Sequence, residues 1–252
     1  MSGKLYIVPT PVGNLDDMTP RSVEVLRNVS LILAEDTRTS AVLMKHFDIR
    51  TPMASHHKYN EHRTVDTFLN RIEAGDDIAL VSDAGTPGIS DPGFMLSREC
   101  RRRGIEVETL PGATAFVPAL VSSGLPCDKF FFEGFLPPKK GRASRMEFLA
   151  SLPCSFVIYE SPLRLVRTLV QLAESCGADR EASVSREISK LHEQTIRDTL
   201  GGLIEYFETN QPRGEIVLIV AGKERRDTGD RRHRNKYRDN TENGSEDDET
   251  AY

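Results

Sequence analysis

Short apolar runs recur along this chain with helical periods between them, and that alternation constrains the fold more than any other feature. The runs lie at 4–9, 30–34, 77–81, 105–110, 130–134, 154–159, 182–185 and 215–220. The helical periods are Pro20–Asn28, Thr37–Phe47, Glu61–Ala74, Phe94–Arg103, Arg142–Leu152, Pro162–Cys176 and Leu200–Thr209. Three of them run out at a glycine: Gly75, Gly104 and Gly177. Glycine just past a helical period is a stop signal, because it adopts the left-handed conformation without a Cβ clash. Strand and helix in alternation predict an α/β fold with a largely parallel sheet.

The rhythm breaks at Leu110-Pro111-Gly112. A boundary there predicts two α/β domains, 1–112 and 113–222, each small for a doubly wound unit and therefore expected to share a cleft. The 252 residues, 38% of them apolar, suffice for two such cores. From Lys223 the composition changes: KERRDTGDRRHRNKYRDNTENGSEDDETAY has almost no apolar residues, with a basic first half and an acidic end. Residues 223–252 cannot bury enough surface to offset chain entropy, so they are expected to be a disordered charged tail.

Several classes of protein are disfavoured. No window approaches the roughly 18 apolar residues of a membrane span. The start runs straight into Leu5-Tyr6-Ile7-Val8 with no basic region before a long apolar stretch, so no signal peptide is expected. Cys100, Cys127, Cys154 and Cys176 are scattered and form no CxxC pair, which fits reduced thiols in a cytoplasmic protein. His56-His57-Lys58 with His62 resembles a metal cluster only at first glance, because adjacent residues are badly spaced for one site; no metal is expected. The net charge of −5 means that any RNA partner must be met by local basic patches or as a structured particle.

Chemistry is expected in three loops at the carboxyl ends of strands, where parallel α/β sheets bind ligands. Thr10-Pro11-Val12-Gly13-Asn14-Leu15 follows strand 4–9 and lacks the GxGxxG dinucleotide fingerprint. Ser82-Asp83-Ala84-Gly85-Thr86-Pro87-Gly88-Ile89-Ser90-Asp91-Pro92-Gly93 carries three Gly, two Pro and two Asp. Glycine lets backbone approach a ligand, proline fixes the loop, and carboxylates accept from hydroxyls or ammonium. Pro111-Gly112-Ala113-Thr114-Ala115 opens the next helix with small residues that leave its N–H groups accessible.

These segments resemble the tetrapyrrole-methylase superfamily. The resemblance rests on Pro9-Thr10-Pro11-Val12-Gly13-Asn14, Ala34-Glu35-Asp36-Thr37-Arg38 and Ser82–Gly93. Gly134-Phe135-Leu136-Pro137-Pro138-Lys139, Tyr159-Glu160-Ser161-Pro162, Arg186-Glu187 and Arg213-Gly214-Glu215-Ile216 extend it over about 4–222. Within the superfamily the pattern is similar to the branch that 2′-O-methylates a cytidine of small-subunit ribosomal RNA. That resemblance implies a class III methyltransferase-like fold, S-adenosyl-L-methionine in a cleft between the domains, and a homodimer. It implies cofactor contacts from Pro9, Asp83, Gly85, Thr86, Ile89, Thr114, Ala115, Tyr159, Glu160 and Gly214. Gly85-Thr86-Pro87 stands where the superfamily has Gly-Asp-Pro, which speaks against tetrapyrroles. Leu163 stands where many relatives have His.

Methyl transfer to a ribose hydroxyl calls for alignment and a general base. Asp36 and Glu35, which leave the end of strand 30–34, are favoured over Asp83 and Glu187, although Asp36 could equally cap the next helix. Lys139, Lys140, Arg142 and Arg145, in a Gly/Pro-rich loop, are the candidates for RNA phosphates. Arg38, Arg164 and Arg186 divide evenly between RNA or partner contact and structural ion pairs. Arg101-Arg102-Arg103 suits a helix C-terminus. Two other functions compete: a tetrapyrrole or diphthamide-pathway methyltransferase, and a non-catalytic RNA-binding or nucleotide-sensing module. The charge favours an assembled subunit as substrate.

Overall fold

A computed structural model describes residues 2–57, 59–90 and 93–223. The tail expectation therefore lies, apart from Lys223, outside the described residues, as do Lys58, Asp91 and Pro92.

The first sheet is parallel throughout, in the order β3-β2-β4-β1-β5. Its strands are β1 (Lys4–Ile7), β2 (Leu31–Ala34), β3 (Met53–Ser55), β4 (Ile78–Val81) and β5 (Glu106–Thr109). The central strands are apolar on both faces because both faces are covered. Leu31 and Leu33 join Ile78 and Leu80 beneath α3 (Glu61–Glu73) and α4 (Phe94–Arg102). Ile32 and Ala34 join Ala79 and Val81 on the opposite face, against α1 (Pro20–Asn28) and α2 (Thr37–His46). The helix starts are chemically marked. Thr19 accepts from Ser22 N at 3.1 Å with Pro20 as the first residue of α1.

This arrangement creates a crevice. β1 and β2 send their chains to the α1/α2 face, whereas neighbouring β4 sends its chain to the α3/α4 face. Loops that leave adjacent strands toward opposite faces part at the carboxyl edge of the sheet, and ligands bind in that gap.

The second sheet runs β6-β7-β10-β8-β9. Its strands are β6 (Phe130–Phe135), β7 (Ser155–Glu160), β8 (Glu181–Arg186), β9 (Gln194–Thr199) and β10 (Ile216–Val220). Three helices, α6 (Arg142–Ser151), α7 (Leu165–Cys176) and α8 (Leu200–Thr209), cover one face; α5 (Phe116–Ser122) packs on the other. Only β6–β7 is parallel; β7–β10, β10–β8 and β8–β9 are antiparallel. The expectation of a largely parallel sheet holds for the first half and is corrected for the second. The cause is the hairpin between β8 and β9, followed by an insertion of β10 between β7 and β8. Among the described residues no helix is long and apolar enough to cross a membrane.

Candidate active site

The loops after β1 and β4 are stitched to each other. Thr10 and Gly85 exchange both backbone hydrogen bonds at 2.9 Å, and the Thr10 hydroxyl donates to Ser82 O at 3.0 Å. Gly85 makes the reversal at φ +79°, a left-handed conformation that glycine takes without strain. Thr86 Oγ1 donates to Ala113 O at 3.1 Å and so ties the β4 loop to the segment that leaves β5. The second half approaches from across the gap. Asp17 Oδ2 accepts from Ser189 Oγ at 2.9 Å, and the α-carbon of Gly13 lies so close to Ile188 and Lys190 that a Cβ would meet Ile188 O at 2.7 Å.

Between these loops lies a cleft of about 450 Å³. The first half lines it with Glu35, Asp83, Gly85, Thr86, Ile89, Thr114 and Ala115, and the second with Tyr159, Glu160 and Gly214. Pro9, also expected at the cofactor, is not among the lining residues; it is buried against Gly112, where a Cβ would come within 2.6 Å of the proline ring. Val12, Ala84, Ser90, Phe135, Ser161, Pro162, Ile188, Glu215, Ile216 and Val217 complete the walls. Val12, Phe135 and Pro162 stand inside motifs that the sequence shows. Ile188 gave no signal, because it is delivered by a tight turn in which Glu187 and Ser189 both take positive φ despite having side chains.

The four candidate bases have separate environments. Glu35 faces the cleft, and burial raises its pKa, with the Asp83 and Asp36 carboxylates adding to the rise and His57 opposing it. Asp83 is also raised, first by burial, while the Asp36 N–H donates to it at 3.2 Å and partly offsets this. Asp36 caps α2: Oδ1 accepts from Arg38 N at 2.9 Å, and Arg38 Nη2 reaches Oδ2 at 2.7 Å. Those bonds hold its pKa down to about 2. Asp36 therefore serves as the helix cap that its position also offered, and Glu35 is the one of the two that lines the cleft. Glu187 lies outside the cleft lining, tied to Lys190 Nζ at 3.0 Å and Glu215 N at 3.1 Å.

Glu160 borders the cleft, but its carboxylate is spoken for. It accepts from Thr168 Oγ1 at 2.6 Å and Ser161 N at 2.8 Å, and pairs with Arg164 at 2.8 Å. Its role is to fix the turn Ser161-Pro162. Gly214 has φ +81°, and a Cβ there would sit 2.1 Å from Glu187 Oε1, so only glycine fits.

Of the basic loop, Lys139 and Lys140 are exposed. Arg142 is corrected: it is 7% exposed, and its guanidinium donates to Thr168 Oγ1, Gln171 Oε1 and Pro137 O at 2.7, 2.8 and 3.2 Å. A side chain folded inward to hold its own loop is not available to phosphate. Arg145 is likewise engaged, paired with Glu133 at 2.6 Å and stacked over Phe131 and Phe148. Arg38 and Arg164 are the partners of Asp36 and Glu160. Arg102 and Arg103 pair with carboxylates of α4 and α3. His56 is buried, with Nδ1 3.0 Å from Thr64 Oγ1.

The cleft suits a ligand with an apolar planar part and a charged polar tail. Ile89, Ile188, Val217 and Tyr159 offer apolar surface, the Gly85–Thr86 and Thr114–Ala115 backbones offer hydrogen-bonding edges, and Glu35 and Asp83 offer carboxylates to hydroxyls or a cation. Comparisons with known proteins point the same way. The family model for Tetrapyrrole (Corrin/Porphyrin) Methylases matches residues 4–204. Proteins named ribosomal RNA small subunit methyltransferase I are similar over most of the chain. The one from Synechocystis sp. is 50% identical over 87% of this chain and 79% of its own length. The one from Thermotoga maritima is 45% identical over 88% of this chain and 100% of its own. Among solved structures, diphthine synthase has a TM-score of 0.68 at 14% identity, covering 88% of this chain and 90% of that one. Uroporphyrin-III C-methyl transferase from Thermus thermophilus, complexed with S-adenyl homocysteine, has 0.61 at 19% identity, covering 87% and 97%. At such identities the structural likeness carries the fold alone.

Proposed function

Because this chain belongs to the tetrapyrrole (corrin/porphyrin) methylase family, we propose that it is an S-adenosylmethionine-dependent methyltransferase of small-subunit ribosomal RNA, acting on the 2′-hydroxyl of a cytidine ribose. The observation that carries the reading is the shared cleft, which gathers Gly85 and Thr114 from one half and Tyr159 and Gly214 from the other around one volume. The named RNA methyltransferases are 45–50% identical to it, whereas the tetrapyrrole and diphthine enzymes are below 20%, which favours RNA as the substrate. Two facing carboxylates in the cleft favour an enzyme over a passive binding module.

Bound S-adenosylmethionine supplies a methyl group on a positively charged sulfur, which leaves as a neutral thioether. The protein's own residues do the rest. Asp83 and the Gly85–Thr86 and Thr114–Ala115 backbones hold and orient the donor. Tyr159, Phe135, Ile188 and Val217 exclude water. Glu35 accepts the proton of the attacking ribose hydroxyl. Its raised pKa brings its basicity nearer to operating pH, where a general base works best. Lys139 and Lys140 meet backbone phosphate, and the two halves, 1–112 and 113–222, act as jaws in a cytoplasmic homodimer that works on the assembled subunit.

The test is incubation of labelled cofactor with undermodified small subunits, followed by mapping of the label. Label on a cytidine ribose is expected. Label on a base, or on tetrapyrrole or protein alone, would overturn the assignment.

A further inference from the structure

A second, smaller cavity of about 200 Å³ lies beside the cleft, lined by Arg186, Gln194, Tyr206, Asn210, Gln211 and Arg213 among others. The two cavities are neighbours through the chain itself. Arg213 lines the small one and the next residue, Gly214, lines the cleft. Arg186 stands opposite Ile216 in the β8–β10 pairing, and Ile216 also lines the cleft.

The cavity is built for an anion. Arg186 uses Nε to bond Gln194 Oε1 at 3.0 Å, and among the described residues its outer nitrogens make no hydrogen bond. Arg213 makes no side-chain hydrogen bond or ion pair among the described residues. The nearby carboxylates are already matched: Glu187 and Glu215 both bind Lys190 Nζ, at 3.0 and 2.8 Å. Two guanidinium forks thus stand in one concavity whose lining holds no carboxylate among the described residues, Glu187 acting on Arg186 only through space. Such forks match phosphate geometry. Tyr206 adds an exposed aromatic ring whose hydroxyl lies 3.4 Å from Gln194 Nε2. Unstacked RNA bases pack on such rings.

We propose that this cavity is a subsite for a nucleotide flanking the methylated one, with its phosphate across Arg186 and Arg213 and its base on Tyr206. The inference rests on the RNA reading above and adds a binding site to it.

Arg213→Gln is the variant of choice, since its exposed side chain makes no hydrogen bond or ion pair among the described residues; an unchanged melting temperature is the control. For small-subunit rRNA, the slope of log affinity against log salt should flatten by about 0.7, one single-strand phosphate contact. KM for undermodified subunits should rise about tenfold, as expected for one lost charge-assisted contact, with kcat and cofactor affinity unchanged. Separately, cytidine 5′-monophosphate should shift the Tyr206 ring resonances in the wild type and not in Arg213→Gln. If the wild type methylates subunits while the variant keeps its salt slope and KM, the subsite is refuted. If the wild type methylates no RNA but the nucleotide still shifts Tyr206 through Arg213, the function falls and the nucleotide site stands. If neither readout responds to Arg213, the site is refuted regardless of the activity.

Discussion

Two adjacent carboxylates, Glu35 and Asp36, leave the same strand and meet opposite fates. Asp36 turns toward the α2 N-terminus and is held down to about 2 by Arg38; Glu35 turns into the cleft and is raised by burial. Nothing in the sequence order separates them, because the difference lies in which backbone N–H groups each oxygen reaches. Glu35→Gln should lower kcat by about 10²–10⁴-fold, the range of a lost general base, while cofactor affinity measured by calorimetry stays within a few-fold. The wild-type rate should fall with acidification along a limb lying above the ordinary Glu value of 4.5; a limb at or below it would remove Glu35 as the base. The stability sign follows from the same shift. A raised folded pKa means that the stable, protonated form is fully present below 4.5 and is lost as pH rises through the folded value. Glu35→Gln should therefore melt no lower than wild type at neutral pH. Asp36→Ala should do the reverse: near-normal turnover, with a lower melting temperature as the α2 cap is lost. The cap's contribution is present above the unfolded value of 3.8 and is lost as pH falls toward about 2.

At the scale of elements, the central strands were legible because they are apolar on both faces, and the helix ends because glycines and caps mark them. Pro20–Asn28 and Leu200–Thr209 coincide with the observed helices. β3 gave no apolar run because it is only Met53–Ser55, and β9 gave none because Gln194 to Thr199 contains one apolar residue, Ile196. With β9 unseen, the hairpin that makes the second sheet mixed was unseen too. Most of the cleft-lining loop after β4 was legible, because glycine and proline at a strand end have few structural uses. The basic loop misled, since charge in the sequence does not say which arginine folds inward. That difference is measurable. Arg142→Ala strips the buried network from Glu160 and Thr168 and should cost about 2–3 kcal/mol, Glu160 keeping Arg164 as a partner. In a chain of this size that is a fall of roughly 5–10 °C in melting temperature. Lys139→Ala with Lys140→Ala should leave the melting temperature unchanged and flatten the salt dependence of RNA binding. If Arg142→Ala melted like wild type while losing RNA affinity, the two roles would have to be exchanged.

At the scale of the whole molecule, the halves touch directly through few polar contacts, such as Ser189 with Asp17, and through the close approach of Gly13 to Ile188. The walls of the cleft face each other across open volume rather than packing together. A ligand that fills the volume therefore supplies contact that the folded chain lacks, to both sheets at once. Binding to the native state alone stabilises it by about 2.7 kcal/mol at a hundred times Kd, which corresponds to roughly 5–10 °C for a chain of this length. Scanning calorimetry with rising S-adenosylmethionine should show that increase. If the free protein melts in two steps, both should move upward and merge, because the ligand links them. Gly214→Ala should weaken this coupling selectively. Any side chain at that position is strained at φ +81° and pushes the Glu187 carboxylate off Glu215 N beside the cleft, while Gly85 and Thr86 on the first sheet keep their places. The variant should then bind the cofactor at least tenfold more weakly and show a smaller ligand-induced shift at equal occupancy. Stabilisation confined to one step, or undiminished in Gly214→Ala, would mean that the ligand rests on the first sheet alone and that the second half closes over the site without gripping it.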